Sequence, residues 1–160
     1  MELRSLRPAD AEALWHLQKA LDAETSFMMF EPDERPFDLA ATAEQIRRTD
    51  FLVAAEIDGR LAGYLSAERG PYRRQRHVAT VVIGVLAKFQ RQGIGRRFFA
   101  ALDAWAQDHG VRRLELTVEA TNTGAIALYT AAGFTTEGVR RDAMRVGGDF
   151  VDELYMAKLL

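Results

Sequence analysis

An apolar, β-branched run from Val78 to Leu86 leads into Gln90-Arg91-Gln92-Gly93-Ile94-Gly95, and an amphipathic segment follows. Strand, glycine-punctuated turn and helix in that order constrain the fold more than any other feature of this chain, because together they build an anion site. The first amides of a helix have no partner inside it, and the helix dipole adds partial positive charge there. Gly93 and Gly95 lack a Cβ, so the backbone can take unusual dihedrals and approach a ligand closely. Phosphate or pyrophosphate is the fitting guest. A tight turn that merely starts a helix uses the same glycines.

Two phosphate motifs are excluded directly. No Gly-x-x-x-x-Gly-Lys-Ser/Thr run occurs, and the third glycine of a dinucleotide fingerprint falls on Phe98. At 160 residues the chain is read as a single domain, 1–160, with an ordinary soluble composition, 48% apolar and 28% charged. A net charge of −2 gives no reason to expect nucleic acid as a partner. The absence of Cys removes disulfides, thiol nucleophiles and thiolate metal sites, and His16, His77 and His109 lack metal-ligand spacing. No apolar run reaches membrane-spanning length and no signal-like core opens the chain, so a cytoplasmic protein is expected.

Leu3 to Arg7 reads as a strand stopped by Pro8, and Asp10 stands where a helix N-cap belongs, before Leu14, Leu17 and Leu21 at helical spacing. Residues 22–37, with Pro32 and Pro36, read as loop, and Asp38 as the cap of a short helix ending near Arg48. Phe51 to Ile57, the Asp58-Gly59 turn and Leu61 to Ala67 form a hairpin. After a basic connection, Arg73-Arg74-Gln75-Arg76, the run Val78 to Leu86 reads as a central strand buried on both faces. A helix carrying Phe98, Leu102 and Trp105 ends at His109-Gly110. Leu114, Leu116 and Val118 mark a strand, Asn122 to Ala132 a helix stopped by Gly133, and two strands flank Gly147-Gly148. The order β-α-α-β-β-β-α-β-α-β-β is a mixed α/β layer with the anion turn after the fourth strand.

Gln90-x-x-Gly93-x-Gly95 after Val82-Ile83-Gly84-Val85 resembles the acetyl-CoA signature of the GNAT N-acetyltransferase superfamily. Asn122-x-x-Ala125-Ile126-x-x-Tyr129-x-x-x-Gly133-Phe134 is similar to that family's second signature, and Arg4-x-Leu6-Arg7-Pro8-Ala9-Asp10 is similar to its opening. The resemblance covers essentially the whole chain. It implies the GNAT fold, a mixed seven-stranded sheet splayed between strands 4 and 5 and flanked by four helices. It also implies acetyl-CoA as co-substrate and direct transfer to a primary amine in a ternary complex.

By this resemblance the amides from Arg91 through Gln92, Gly93, Ile94 and Gly95 to Arg96 hold the pyrophosphate, with help from the charges of Lys88, Arg91 and Arg96. Val85 and Leu86 offer main-chain groups to the pantetheine arm, and Asn122 touches the cofactor besides capping its helix. Tyr129 is the catalytic residue: a phenol is protonated at neutral pH and can donate to the departing thiolate. The general base stays open among Glu119, Glu115, His77, Glu31, Glu34 and water. Glu31 and Glu34, in a loop that in relatives roofs the acceptor site, are candidates for binding a cationic acceptor such as a polyamine, an aminoglycoside, an amino acid or a protein N-terminus. The other reading makes them exposed acids that balance Arg35. The last hairpin, Val139 to Leu160, leaves apolar strands able to pair in a homodimer. Two rivals to the enzyme remain, a non-catalytic acyl-CoA-sensing module of the same fold and a nucleotide-binding domain.

Overall fold

The computed structural model describes residues 1–160, and its elements follow the order the periodicity predicts. Strand β1 (Glu2–Ser5) precedes helices α1 (Ala11–Glu24) and α2 (Leu39–Arg48), then strands β2 (Phe51–Ile57), β3 (Arg60–Arg69) and β4 (Val78–Val85). Helix α3 (Ile94–Asp108), strand β5 (Arg113–Glu119), helix α4 (Thr123–Ala131) and strands β6 (Thr135–Val146) and β7 (Asp149–Leu159) complete it. The strands form one mixed seven-stranded sheet in the order β1-β2-β3-β4-β5-β7-β6. β4 and β5 run parallel, whereas β1–β2, β2–β3, β5–β7 and β6–β7 are antiparallel. The parallel register extends only from Val78↔Arg113 to Thr80↔Glu115. No helix is long and apolar enough to cross a membrane.

The chain divides into two compact units, Met1–Glu68 with Val82–Leu102, and Arg69–Val81 with Asp103–Leu160. In the first, Leu14, Leu17 and Leu21 of α1 recur on one helix face and pack with Leu6, Ile46, Leu52, Ala54, Tyr64 and Leu86. Asp38 caps α2 as predicted, its Oδ1 accepting the Ala41 N–H at 2.9 Å. Asp10 departs from its expected role. It precedes α1, but its carboxylate accepts from Arg4 at 2.9 and 3.1 Å and from the Arg7 N–H at 2.8 Å, and makes no cap bond to α1. A guanidinium fork is a stronger partner for a carboxylate than a neutral amide.

The expectation that β4 is buried on both faces is also corrected. Ala79 and Val81 are buried while Thr80 and Val82 are exposed, so over these residues the strand is shielded on one face only. Gly84 is the exception: a Cβ there would meet Leu21 Cδ1 at 2.7 Å, so α1 lies directly on the backbone. Gly63 on β3 is equally constrained, since its Cβ would meet the Gly84 carbonyl oxygen at 2.6 Å.

In the second unit Leu114, Leu116 and Val118 of β5 are buried together with Ala106, Val111, Tyr129, Phe134 and Met156. Lys158 Nζ on β7 pairs with Asp103 of α3 at 2.6 Å. Arg113 on the opposite face of β5 donates to Glu115 at 2.8 Å and to Glu137 of β6 at 3.0 Å. The β6–β7 hairpin exposes Val139, Phe150, Tyr155 and Leu159.

Candidate active site

The glycine turn lies wholly in the first unit. After β4 the chain makes one 3-10 turn, Ala87–Phe89, whose first amide donates to Glu24 Oε2, on the last residue of α1, at 2.9 Å. The side chain of Gln90 then reaches back to the Val85 carbonyl at 3.0 Å, and Gln92 donates to the Lys88 carbonyl at 3.2 Å. Arg91 and Gly93 both take left-handed backbone, with φ of 63° and 81°. A Cβ on Gly93 would find nothing within 4 Å, so glycine serves conformation there and not space.

Helix α3 begins at Ile94, and the Arg97 N–H donates to the Gly93 carbonyl at 3.2 Å. The amides of Ile94, Gly95 and Arg96 come before that bond and have no acceptor inside the helix. Ile94 is buried and anchors the helix start, whereas Arg91, Gln92 and Arg96 are exposed around it. Phe98 is fully buried, so the position where a dinucleotide fold needs a small residue is core here. Of the two residues expected to face a pantetheine arm, Leu86 has its amide bonded to Ala62 O at 3.0 Å and its carbonyl accepting from Phe89 N at 2.9 Å. The Val85 carbonyl, by contrast, accepts from the exposed Gln90 side chain.

The same unit holds the loop from Thr25 to Asp38. Glu31 and Glu34 form a local turn, the Glu34 N–H donating to Glu31 O at 3.1 Å and the Glu31 N–H to Glu34 Oε2 at 2.8 Å, and both side chains are exposed. They do not balance Arg35. That guanidinium donates to Asp22 of α1 at 2.5 and 3.1 Å and to Gln18 Oε1 at 3.1 Å, and lies 4.5 Å from the Phe30 ring centroid. The Asp22 side chain is completely buried. Two more α1 side chains hold loop carbonyls, Trp15 Nε1 to Pro36 at 2.7 Å and Lys19 Nζ to Pro32 at 2.5 Å. Sequence reasoning missed the Asp22–Arg35 pair although a signal existed. Gln18 and Asp22 fall on the same inward stripe as Leu14, Leu17 and Leu21, where a polar residue needs a partner.

The second signature lies in the second unit. Asn122 caps α4, its Oδ1 accepting the Ala125 N–H at 3.2 Å, while its own N–H donates to the Glu119 carbonyl at 2.9 Å. Tyr129 is 8% exposed and packs against Phe134 with ring centroids 6.1 Å apart. Burial pushes its hydroxyl up to about 12, so it is a proton-bearing donor across the neutral range. Among the base candidates, Glu115 is paired with Arg113 and His77 is exposed. Glu119 is buried, and burial, then the charge of Glu153, raise the proton affinity of its carboxyl.

Comparison with known proteins gives concordant results. The model of the acetyltransferase (GNAT) family matches residues 15–134. The L-amino acid N-acetyltransferase AaaT of Escherichia coli K12 is 32% identical over 111 residues, 67% of each chain. The N-alpha-acetyltransferase RimI of Mycobacterium tuberculosis is 32% identical over 145 residues, 88% of this chain and 87% of that one. The crystal structure of a GNAT-family acetyltransferase from Streptococcus pneumoniae superimposes with a TM-score of 0.93 at 25% identity, over 99% of this chain and 98% of that one.

Proposed function

Because the chain belongs to the acetyltransferase (GNAT) family, we propose that it transfers the acetyl group of acetyl-CoA to a primary amine by direct attack in a ternary complex. The observation that carries this reading is the turn ahead of α3. Left-handed Arg91 and Gly93 turn the chain into a helix whose first amides have no internal acceptor, and exposed arginines flank it. Such a turn is built for a pyrophosphate. Val85 contributes a carbonyl that Gln90 can give up to a pantetheine amide, and Asn122 keeps side-chain capacity beyond its cap bond. Tyr129 donates to the sulfur as the C–S bond breaks.

The acceptor classes that fit are polyamines, aminoglycoside-like amines, amino acids and protein N-termini. The relatives named for L-amino-acid and N-alpha acetylation support an α-amino group among these. Glu31 and Glu34 supply exposed negative charge that draws an ammonium toward the loop between α1 and α2. The test is CoA release from acetyl-CoA against a panel covering all four classes. Saturable turnover with one class is the expected result. Calorimetric binding of acetyl-CoA without turnover on any amine would replace the enzyme with an acyl-CoA-sensing module.

A further inference from the structure

Along β5 the side chains alternate, and the face opposite the buried Leu114, Leu116 and Val118 carries Arg113, Glu115, Thr117 and Glu119. The first two neutralise one another, and Arg113 also takes Glu137. Thr117 is exposed. Glu119, at the end of the row, is different. It is 6% exposed, and its Oε1 is shut off from solvent with no hydrogen-bond partner.

Directly across the ladder stands Glu153 of β7, also 6% exposed, whose Oε2 accepts from Arg140 of β6 at 2.5 Å. Arg140 further lies 5.5 Å from the Tyr155 ring centroid. Of the two buried carboxylates, Glu153 thus has a guanidinium partner and the Oε1 of Glu119 has none. On the same three strands Glu115 and Glu137 are engaged with Arg113, and Asp152 through its Oδ1 with the Asp142 N–H. An uncompensated buried carboxylate is costly, and a cation or a proton relieves that cost.

Resting on the acetyl-transfer reading, we infer that Glu119 is the general base, and that the substrate ammonium is the counter-charge the Glu119–Glu153 pair lacks. The position suits the role. The Glu119 carbonyl accepts the Asn122 N–H, so the base sits at the foot of the capped helix that carries Tyr129. Burial and the neighbouring Glu153 charge make the carboxylate a stronger base than a solvated one. Glu31 and Glu34 are exposed, and Glu115 is already held by Arg113.

The chemistry balances. Glu119 takes one proton from R–NH3⁺, and the nitrogen lone pair attacks the thioester carbonyl to form the C–N bond. The tetrahedral adduct expels the thiolate as the C–S bond breaks. Tyr129 gives its proton to sulfur and receives one of the two protons left on nitrogen, the other staying on the amide, while protonated Glu119 returns its proton to solvent. The sum is amide, CoA thiol and one released proton.

The test compares wild type, E119Q and E153Q with the best amine of the panel, measuring kcat/KM from about pH 4 to 10, acetyl-CoA affinity by calorimetry and thermal melting. For E119Q the expected result is a fall of about 100-fold or more in kcat/KM at pH 7. That gap closes as the pH approaches the amine's own pKa, and acetyl-CoA affinity is unchanged. For E153Q the rising acid limb moves to lower pH, because losing that charge and freeing Arg140 both favour ionised Glu119. This second variant answers the question even if E119Q does not fold. A folded E119Q with the wild-type rate and profile, or an unmoved acid limb in E153Q, removes Glu119 as the base while acetyl transfer stands. A wild type that binds acetyl-CoA and acetylates no amine overturns both readings together.

Discussion

Replacing Tyr129 by phenylalanine removes one oxygen from a side chain that is 8% exposed, so the consequence can be worked out closely. Burial raises the hydroxyl to about 12, whereas an ordinary alkyl thiol sits at about 8.5. Outright proton transfer from this phenol to a free thiolate would therefore be uphill by about 5 kcal/mol. The hydroxyl cannot act as a simple acid. On the proposed mechanism it hydrogen-bonds the sulfur as negative charge develops, and passes its proton only as it receives one from the attacking nitrogen. Losing one such preorganised donor costs about 3–4 kcal/mol in the transition state, a factor of 100 to 1,000 in kcat. Acetyl-CoA affinity is expected to change by less than about twofold, because the charge that needs the donor is absent from the ground state.

The pH dependence carries a second constraint. An acid whose pKa is raised stays protonated to higher pH, so Tyr129 contributes no falling limb until the pH nears about 12. Any alkaline limb below pH 10 belongs to another group and must persist in Y129F. CoA release at saturating acetyl-CoA, with calorimetry for affinity, reads both quantities. A kcat within twofold of wild type, or a limb near pH 10 that vanishes in Y129F, would refute the reasoning.

Two further perturbations test other parts of the structure. Substituting Arg35 by Met strands the fully buried Asp22 carboxylate, and urea unfolding at pH 7 should show a loss of about 3–5 kcal/mol. The double variant D22L/R35M should recover most of that loss, and a loss below about 1 kcal/mol in R35M would show the pair to be dispensable. Gly93→Ala meets no steric obstacle but must hold φ near 81°, which costs about 1–2 kcal/mol. The expected outcome is weaker acetyl-CoA binding by calorimetry, and unchanged affinity would detach the turn from the cofactor.

Local rules made most of the fold legible. The Asp38 cap, the Asp58-Gly59 hairpin and the Gly133 stop each depend on residues a few positions apart, and each stands where it was read. What failed depended on distant partners. Asp10 reads as a cap until Arg4 arrives from β1 to claim its carboxylate. An apolar β4 reads as doubly buried, because composition does not say which faces the helices cover. In the candidate site, the glycine turn and Asn122 were readable from spacing. Glu119 stood undistinguished among several acids, since its burial and its neighbour Glu153 are set by the β5–β7 register with the C-terminal strand. The Asp22–Arg35 pair was readable in half: the inward position of Asp22 was visible, its partner was not.

The loop between α1 and α2 is fastened to α1 in its middle and toward its far end. Asp22 and Gln18 hold Arg35, and Lys19 and Trp15 hold the carbonyls of Pro32 and Pro36. A segment strung between such rivets has surrendered most of its conformational freedom before any ligand arrives. The rivets grip backbone carbonyls and one arginine and ignore the exposed side chains of Phe27, Met29 and Glu31. Those positions can be rewritten by mutation while the frame beneath them stays as it is. Scaffold and loop chemistry are therefore separable inheritances, and a lineage carrying this frame can change the exposed side chains of its loop without having to refold.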